Sequence, residues 1–209
     1  MNCCGAHANY LTLRSVAFDD LRKNLVPFLA SRWCLIGNGW LCKEGDYFTF
    51  LFSQRGELMV DKEEKASTIT TAYTLSDGDT SVIDYTRPFI NTRDEPHADK
   101  TKWQRLHDIS GNHAMSEIQN YMKYGVMDIV LAMIEENFLV PVPKLDDPFC
   151  LNFTSLSRRC NEDILFAHPV RMENGECWTA LDFQRFYVNE AKRYFYENPN
   201  ARTEERDEV

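Results

Sequence analysis

The chain has 209 residues, of which 44% are hydrophobic, and a formal net charge of −9 from 32 acidic and 23 basic residues. This much apolar material can form a core that needs no disulfide or metal support. No apolar run is long enough to span a bilayer, residues 1–9 lack the pattern of a signal peptide, and no run of lysine or arginine exceeds two residues. The composition therefore favours a cytoplasmic protein and disfavours nucleic acid and membrane as partners.

In chain order, apolar residues at helical spacing predict a first helix over residues 15–31, with Ser15 as its N-cap. Pro27 is expected to kink or shorten this helix, because proline removes a backbone donor. Strand-like runs then follow between residues 33 and 86, separated by turns that contain glycine. Short connections make neighbouring strands antiparallel, so the pattern predicts a β-meander of about five strands. Its runs are 33–36, 40–43, 47–53, 57–61, and a longer region made of 67–75 and 80–86.

The length of the first turn of this meander decides which residues oppose each other. With a three-residue loop at 37–39, Cys34 lies opposite Cys42, at the short edge of disulfide distance. With a two-residue loop, Cys34 faces Lys43 instead. The seven cysteines are odd in number and scattered, which is typical of free thiols in a reducing compartment.

Residues 87–112 lose all periodicity and collect proline, aspartate and histidine, so we predict a long loop there. A loop of that length inside a compact domain is uncommon and often functional. Its acidic and imidazole groups could contact a partner, form an acid–base pair or hold a cation. The candidate partner-binding residues are Asp94, Glu95, His97, Asp99, Trp103, His107 and Asp108.

The last part of the chain is predicted to contain two helices and two strands. A helix over 116–137 begins with Ser116 and Gln119 as a capping box. Thr179 is expected to cap the final helix. The remaining predicted elements are strands near 149–154 and 164–170, a turn at 173–176, and the final helix at 180–197.

Together these elements predict an α+β fold, in which an antiparallel β-meander of about five strands is flanked by helices and followed by two further strands and a C-terminal helix. Residues 1–198 are expected to form a single domain. Residues 199–209 are expected to form a disordered, charged tail.

Two patterns resemble metal sites, but each has a simpler interpretation. Asp46 with the acidic residues and lysine at 63–65 has the residue types of a metal-dependent nuclease, yet the spacing fits many hairpins. The zinc-type residues Cys150, Cys160, His168 and Cys177 lack a closely spaced ligand pair, which favours core thiols. We assign no metal, no cofactor and no catalytic residue from the sequence.

The acidic balance and the lack of a glycine-rich phosphate loop or a compact catalytic motif favour a non-enzymatic protein-binding regulator. An inhibitor, an immunity-type protein or a host-interaction protein would fit, acting through an acidic and aromatic surface on a protein partner, with a basic partner favoured by charge. One alternative is a small metal-dependent hydrolase or nuclease that uses aspartate, glutamate and histidine. A second is a structural subunit of a larger assembly. The sequence leaves the oligomeric state open.

Overall fold

The structure is a computed structural model, and it describes residues 5–44, 46–57, 59–60, 74–75, 83–84, 87–91, 95–114, 116–150, 152–199 and 201. The helices are α1 (Phe18–Ser31), α2 (Trp33–Ile36), α3 (Glu117–Glu135), α4 (Phe153–Glu162) and α5 (Ala180–Glu197). The strands are β1 (Ala6–Leu13), β2 (Trp40–Glu44), β3 (Tyr47–Leu51), β4 (Met59–Val60), β5 (Thr74–Leu75), β6 (Ile83–Asp84), β7 (Arg87–Pro88), β8 (Ile90–Asn91), β9 (Trp103–Gly111), β10 (Val170–Arg171) and β11 (Cys177–Trp178).

A three-stranded antiparallel sheet in the order β1-β9-β8 organises the fold. Strand β9 lies in its centre, with Tyr10 opposite Leu106 on one side and Ile90 opposite Asp108 on the other. Because side chains alternate between the two faces of a strand, the inner face carries Leu106 and Asp108, both buried. The other face of β1 and β9 is exposed at His7 and Asn9 and half-buried at Leu11, Arg105 and His107.

The prediction of a loop over 87–112 is wrong, since this region contains β7, β8 and the central strand β9. Its pairing partner β1 lies almost a hundred residues earlier in the chain, so no local turn marks the pairing. The polar residues His107 and Asp108 also interrupt the apolar alternation by which strands are usually recognised. Strand β1 itself was missed for the same reason.

Residues 33–36 form the helix α2 and not a strand, which corrects the first member of the predicted meander. Four apolar residues in a row do not distinguish a strand from a buried helix segment. Here the preceding helix brings Trp33 into the core, where its Nε1 donates a hydrogen bond to Ser157 Oγ at 2.9 Å. Both registers considered for Cys34, opposite Cys42 or opposite Lys43, are wrong as well, because Cys34 lies in α2. Cys42 pairs with Thr49 of β3.

The second and third runs of the meander do form the antiparallel hairpin β2–β3. Beyond it, β4 pairs in parallel with β7, and β5 pairs in antiparallel fashion with β6. Most of residues 57–86 lies outside the described residues. The five-stranded meander therefore stays a prediction.

The long helices agree closely with their predictions, apart from details at their N-termini. Helix α1 begins after Ala17 and not at Ser15, and it continues through Pro27 to Ser31. At α3, Ser116 Oγ accepts a hydrogen bond from the Gln119 amide at 3.2 Å, which is one half of the predicted capping box. The Gln119 side chain instead donates to the Gly37 carbonyl at 3.1 Å and so ties α3 to the turn after α2.

The region between α3 and α5 departs from its prediction at both expected strands. Residues 149–154 lead into α4, for which Asn152 and Ser155 form a reciprocal capping box. Of residues 164–170, only Val170 belongs to a strand, β10. The turn at 173–176 is confirmed by the β10–β11 hairpin, in which Gly175 has φ +84°. Helix α5 is also confirmed, with Thr179 and Asp182 as its capping box.

The core lies between the helices α1, α3, α4 and α5 and the inner face of the sheet. Leu25, Phe28, Val130 and Tyr187 are buried there, and the Tyr187 hydroxyl donates to the Asn24 carbonyl at 2.8 Å. Within the described ranges, none of the helices is long and apolar enough to cross a membrane. Residues 200 and 202–209 lie outside those ranges, so the single domain and the disordered tail stay predictions.

Candidate functional site on the sheet

The outward side chains of β1 and β9 form one polar surface, which we call the open sheet face. It consists of His7, Asn9 and Leu11 on β1 and of Arg105 and His107 on β9. The registers Asn9↔His107 and Leu11↔Arg105 place these residues directly beside one another. Two imidazoles, an amide and a guanidinium therefore converge on a single patch of the sheet.

Arg105 is held in place from two sides. Its Nε donates a hydrogen bond to Asn9 Oδ1 at 2.7 Å. Its Nη1 lies 4.0 Å from Glu95 Oε2, in a partly exposed ion pair. A guanidinium has five N–H donors, so these two contacts leave donors that can bind an anion in a planar, two-pronged geometry.

His7 and His107 lie in direct contact across the two strands. The nitrogens His107 Nε2 and His7 Nδ1 are 3.1 Å apart, and the tautomers decide which of them donates. Burial, the neighbouring Arg105 and His7 together lower the pKa of His107 to about 4, whereas the charge of Asp108 acts in the opposite direction. His107 is therefore neutral at physiological pH and offers a hydrogen bond or a metal-binding lone pair without adding charge.

A cavity of about 280 Å³ adjoins this face. Its walls include Asn9, Leu11 and Arg105 from the sheet, and Glu95, Pro96 and His97 from the segment that precedes β9. Pro96 is buried while its two neighbours are exposed, so the segment packs down at one point and presents the Glu95 carboxylate on one side and the His97 imidazole on the other. A small polar ligand on the open sheet face would thus meet a wall with both cationic and anionic groups.

The predicted partner-binding residues fall in different places. Glu95 and His97 line the cavity, and His107 lies on the open sheet face. Asp99 accepts hydrogen bonds from the amide and hydroxyl of Thr101 at 2.9 and 2.7 Å, which cap a turn and lower the pKa of its carboxyl group. The others are placed as follows: Trp103 opposes Leu13 at the start of β9, Asp108 lies on the inner face, and Asp94 lies outside the described residues.

Asp108 is fully buried, which separates it from any surface that a partner could touch. Its Oδ2 accepts a hydrogen bond from Arg32 Nη2 at 2.6 Å, and its Oδ1 accepts from the Ser110 amide at 2.9 Å. Burial by itself would raise the pKa of Asp108, but the Arg32 charge and the Ser110 hydrogen bonds outweigh it and leave the pKa lowered. The carboxylate therefore links β9 to Arg32 on the inner face of the sheet, opposite the open sheet face.

His7, Asn9 and Arg105 were not among the predicted site residues. Alternation in β1 was available as a signal, since Ala8 and Thr12 turn inward and His7, Asn9 and Leu11 turn outward. Of the inward residues, Ala8 and Thr12 are small or polar and only Tyr10 is large, so the strand lacks the strongly apolar face that makes such a pattern recognisable.

The two metal patterns found in the sequence do not form a centre in the described part of the chain, where no three or more His, Cys, Asp or Glu residues come together to hold a metal. Cys150 and Cys160 are buried, whereas Cys177 is exposed. Asp46 lies at an exposed turn, and residues 63–65 lie outside the described residues.

Comparison with known proteins identifies the family. A profile described as "Pup-ligase protein" matches residues 1–209. The chain belongs to the Pup-ligase family. Among its relatives, the Pup–protein ligase of Arthrobacter sp. (strain FB24) is 34% identical over 197 residues, which are 94% of this chain and 39% of that protein. The Pup–protein ligase of Mycobacterium tuberculosis (strain ATCC 25177 / H37Ra) is 34% identical over 205 residues, 98% of this chain and 41% of that protein.

Solved structures of the family share this fold. The Pup ligase PafA in complex with ADP matches with a TM-score of 0.70 and 30% identity over 94% of this chain and 39% of that chain. The complex between the prokaryotic ubiquitin-like protein Pup and its ligase PafA matches with a TM-score of 0.70 and 29% identity, over 93% of this chain and 35% of that chain. This chain spans about two fifths of the length of its curated relatives.

The expectation of a non-enzymatic regulator, inhibitor or immunity-type protein is wrong. The family is one of enzymes, since its members that match nearly all of this chain are named as ligases. The lack of a short catalytic motif does not argue against an enzyme, because residues from distant segments can form one surface. The polar residues of the open sheet face come from β1 and β9, which lie almost a hundred residues apart in the chain.

Proposed function

We propose that this chain is part of a Pup–protein ligase and that its open sheet face binds the phosphates of the nucleotide. The observation that carries the proposal is the convergence of Arg105, His7 and His107 on one open face beside a cavity. Family membership and the ADP complex of a related ligase support it. The complex of PafA with Pup supports the further proposal that the protein partner is Pup.

Arg105 has the chemistry that phosphate recognition requires. A planar guanidinium donates paired hydrogen bonds to an anionic oxygen group, and it stays charged at every relevant pH. Asn9 and Glu95 fix its orientation before the ligand arrives, so little side-chain freedom is lost on binding. Neutral His107 can donate to or accept from the same ligand without repelling a bound cation.

A ligase that ends its reaction with ADP draws on the terminal phosphate of ATP, and phosphoryl transfer depends mainly on positioning and on charge stabilisation. In this chain, Arg105 would orient the anion, and the segment at 95–97 would limit the access of water to it. Magnesium commonly accompanies nucleotide phosphates. Among the described residues, Glu95 would supply the oxygen ligand that magnesium prefers, since its carboxylate lies 4.0 Å from Arg105 Nη1, and the phosphates would have to complete such a site.

Titration of the chain with ADP by calorimetry tests the nucleotide site. Arg105→Ala should weaken ADP binding about tenfold to a hundredfold, because hydrogen bonds to charged groups contribute about 1.5–3 kcal/mol. The matched control is Arg171→Ala. Arg171 is an exposed residue of β10 that pairs with Asp146, and it lies in a different sheet from the open sheet face. ADP affinity should be unchanged in that variant.

A second measurement addresses the ligase activity. Incubation with ATP, Pup and an acceptor protein should give a Pup-modified band on a denaturing gel, and Arg105→Ala should reduce its rate of appearance. An ADP affinity that is equal in wild type and Arg105→Ala, with unchanged circular dichroism, contradicts the nucleotide site. Absence of ADP binding in the wild type contradicts it as well.

A further inference from the structure

We propose that Asn174 is a site of spontaneous deamidation, and that loss of its side-chain amide loosens the β10–β11 turn. The chain contains two Asn-Gly pairs, Asn38-Gly39 and Asn174-Gly175. Glycine has no side chain to shield its backbone nitrogen, so this nitrogen can approach the side chain of the preceding asparagine closely. The surroundings of the two pairs differ, and only the second pair is free to react. The inference does not depend on the nucleotide site.

The reaction needs only the groups of the turn and water. The Gly175 nitrogen attacks the carbonyl carbon of the Asn174 side chain, and the new N–C bond closes a succinimide ring. The side-chain nitrogen leaves as ammonia and takes up a proton that balances the one released by the attacking nitrogen. Water then opens the ring at either of its carbonyl groups. The products are aspartate and isoaspartate, and each carries one more negative charge than asparagine.

The Asn174 side chain already lies in a position that favours this attack. Asn174 and Gly175 are both exposed. Asn174 Oδ1 accepts a hydrogen bond from the Glu176 amide at 3.0 Å, which forms an Asx turn and folds the side chain back over the backbone that follows it. The same N–H points at the oxygen on which negative charge develops during the attack. A donor placed in this way stabilises the reaction intermediate.

One backbone hydrogen bond must open before the nitrogen can react. The Gly175 amide donates to the Met172 carbonyl at 2.9 Å. The strands on either side, β10 and β11, have only two residues each. Short exposed hairpins open by local fraying, without unfolding of the core. The bond therefore slows the reaction but does not prevent it.

The other pair is held more firmly. Asn38 Nδ2 donates to the His113 carbonyl, and Asn38 Oδ1 accepts from Gln119 Nε2 at 3.1 Å. The Gly39 amide donates to the Phe52 carbonyl at 2.8 Å. Because both ends of the Asn38 amide are bonded to groups outside its own turn, its carbonyl carbon is not free to rotate toward the Gly39 nitrogen.

Loss of the amide at Asn174 affects more than the turn. Asn174 Nδ2 donates to Glu176 Oε2 at 3.0 Å, and the same oxygen accepts from Trp178 Nε1 at 2.9 Å. A carboxylate at this position loses the donor and places two like charges together. The Trp178 ring packs edge-on against Phe183 of α5, with 5.1 Å between the ring centroids. The modification is therefore transmitted to the contact between β11 and α5.

The test is ageing of the folded chain at mildly alkaline pH, followed by digestion and mass spectrometry of the two Asn-Gly peptides. Asn174 should deamidate about tenfold faster than Asn38, because the Asn38 amide must first break its two side-chain hydrogen bonds. In urea, where both turns are lost, the two rates should converge. Asn174→Gln should remove the faster reaction. Asn38→Gln is the matched control and should leave the rate at Asn174 unchanged.

The effect on the turn is measured separately by hydrogen exchange. The Met172 amide donates to the Glu176 carbonyl at 2.8 Å across the turn, so its exchange should be several times faster in Asn174→Asp than in the wild type. Unchanged exchange in that variant overturns the loosening. Equal rates at Asn174 and Asn38 in the folded chain overturn the assignment of the site. So does an Asn174 that stays intact in the folded chain while it reacts in urea.

Discussion

Arg32 and Asp108 form an ion pair that is buried on both sides, with side-chain exposures of 1% and 0% and a distance of 2.6 Å between Nη2 and Oδ2. Arg32 lies at the end of α1, and Asp108 lies on the inner face of β9. The Arg32 Nη2 also donates to Ser110 Oγ at 2.8 Å, so one guanidinium joins the helix to two residues of the strand. This connection fixes β9 against α1 and so fixes the position of His107 and Arg105, which lie on the opposite face of the same strand.

Arg32→Met should destabilise the protein by about 3–5 kcal/mol, because it leaves the Asp108 carboxylate buried without its counter-charge. Urea denaturation at neutral pH measures this loss. The matched control is Arg171→Met, which removes an exposed pair with Asp146 and should change the free energy of unfolding by less than about 1 kcal/mol. The variant with Arg32→Met and Asp108→Leu together should recover part of the loss. Equal stability of Arg32→Met and wild type would contradict a structural role for the pair.

The same pair predicts a pH dependence at the acidic end. The folded pKa of Asp108 is lowered, so its contribution to stability is present above the unfolded pKa of about 4 and is lost as pH falls through the folded value. The difference between wild type and Arg32→Met should therefore shrink as the pH falls below about 4. A difference that is constant from neutral pH to pH 3 would show that Asp108 does not titrate with folding.

His107 should titrate with a pKa near 4, well below the ordinary value of about 6.5. Because the unfolded chain binds this proton more readily, stability should rise with pH between about 4 and 6.5, and His107→Gln should flatten that part of the curve. The direct measurement is the chemical shift of the imidazole protons as a function of pH. Arg105→Ala should raise the pKa, since Arg105 is one cause of the lowering. A value near 6.5 in the wild type would contradict the packed position of the ring.

The sequence predicted local elements well and long-range pairing poorly. Helices α3 and α5 and the β10–β11 turn follow from side-chain periodicity, caps and a glycine, all of which act over a few residues. Strands β1 and β9 were missed because their stability comes from a register between distant segments. The candidate partner-binding residues span 94–108, and of these Glu95 and His97 line the cavity while His107 lies on the open sheet face beside it. These residues were expected to lie on a long irregular loop, whereas His107 lies in the central strand β9.

Helix α4 shows how a local signal can be overlooked. The apolar residues at 149–154 suggested a strand, but Asn152 accepts a hydrogen bond from the Ser155 amide at 2.9 Å and starts a helix instead. Asn152→Ala should cost about 1 kcal/mol of stability, the usual contribution of an N-cap. Asn189→Ala, at an exposed position within α5, is the matched control and should be neutral or slightly stabilising. Urea denaturation of both variants compares them, and equal effects would argue against the cap.

Two glycines give opposite predictions for the same substitution. Gly125 lies inside α3, and a Cβ atom there would meet no atom within 4 Å. Gly125→Ala should therefore stabilise the protein by about 0.5–1 kcal/mol, since alanine favours the helix and narrows the unfolded ensemble. Gly175 has equally open surroundings but φ +84°, where an L side chain is strained, so Gly175→Ala should destabilise by about 1 kcal/mol. Thermal unfolding of the two variants should shift in opposite directions. A shift in the same direction would mean that backbone conformation does not govern the β10–β11 turn.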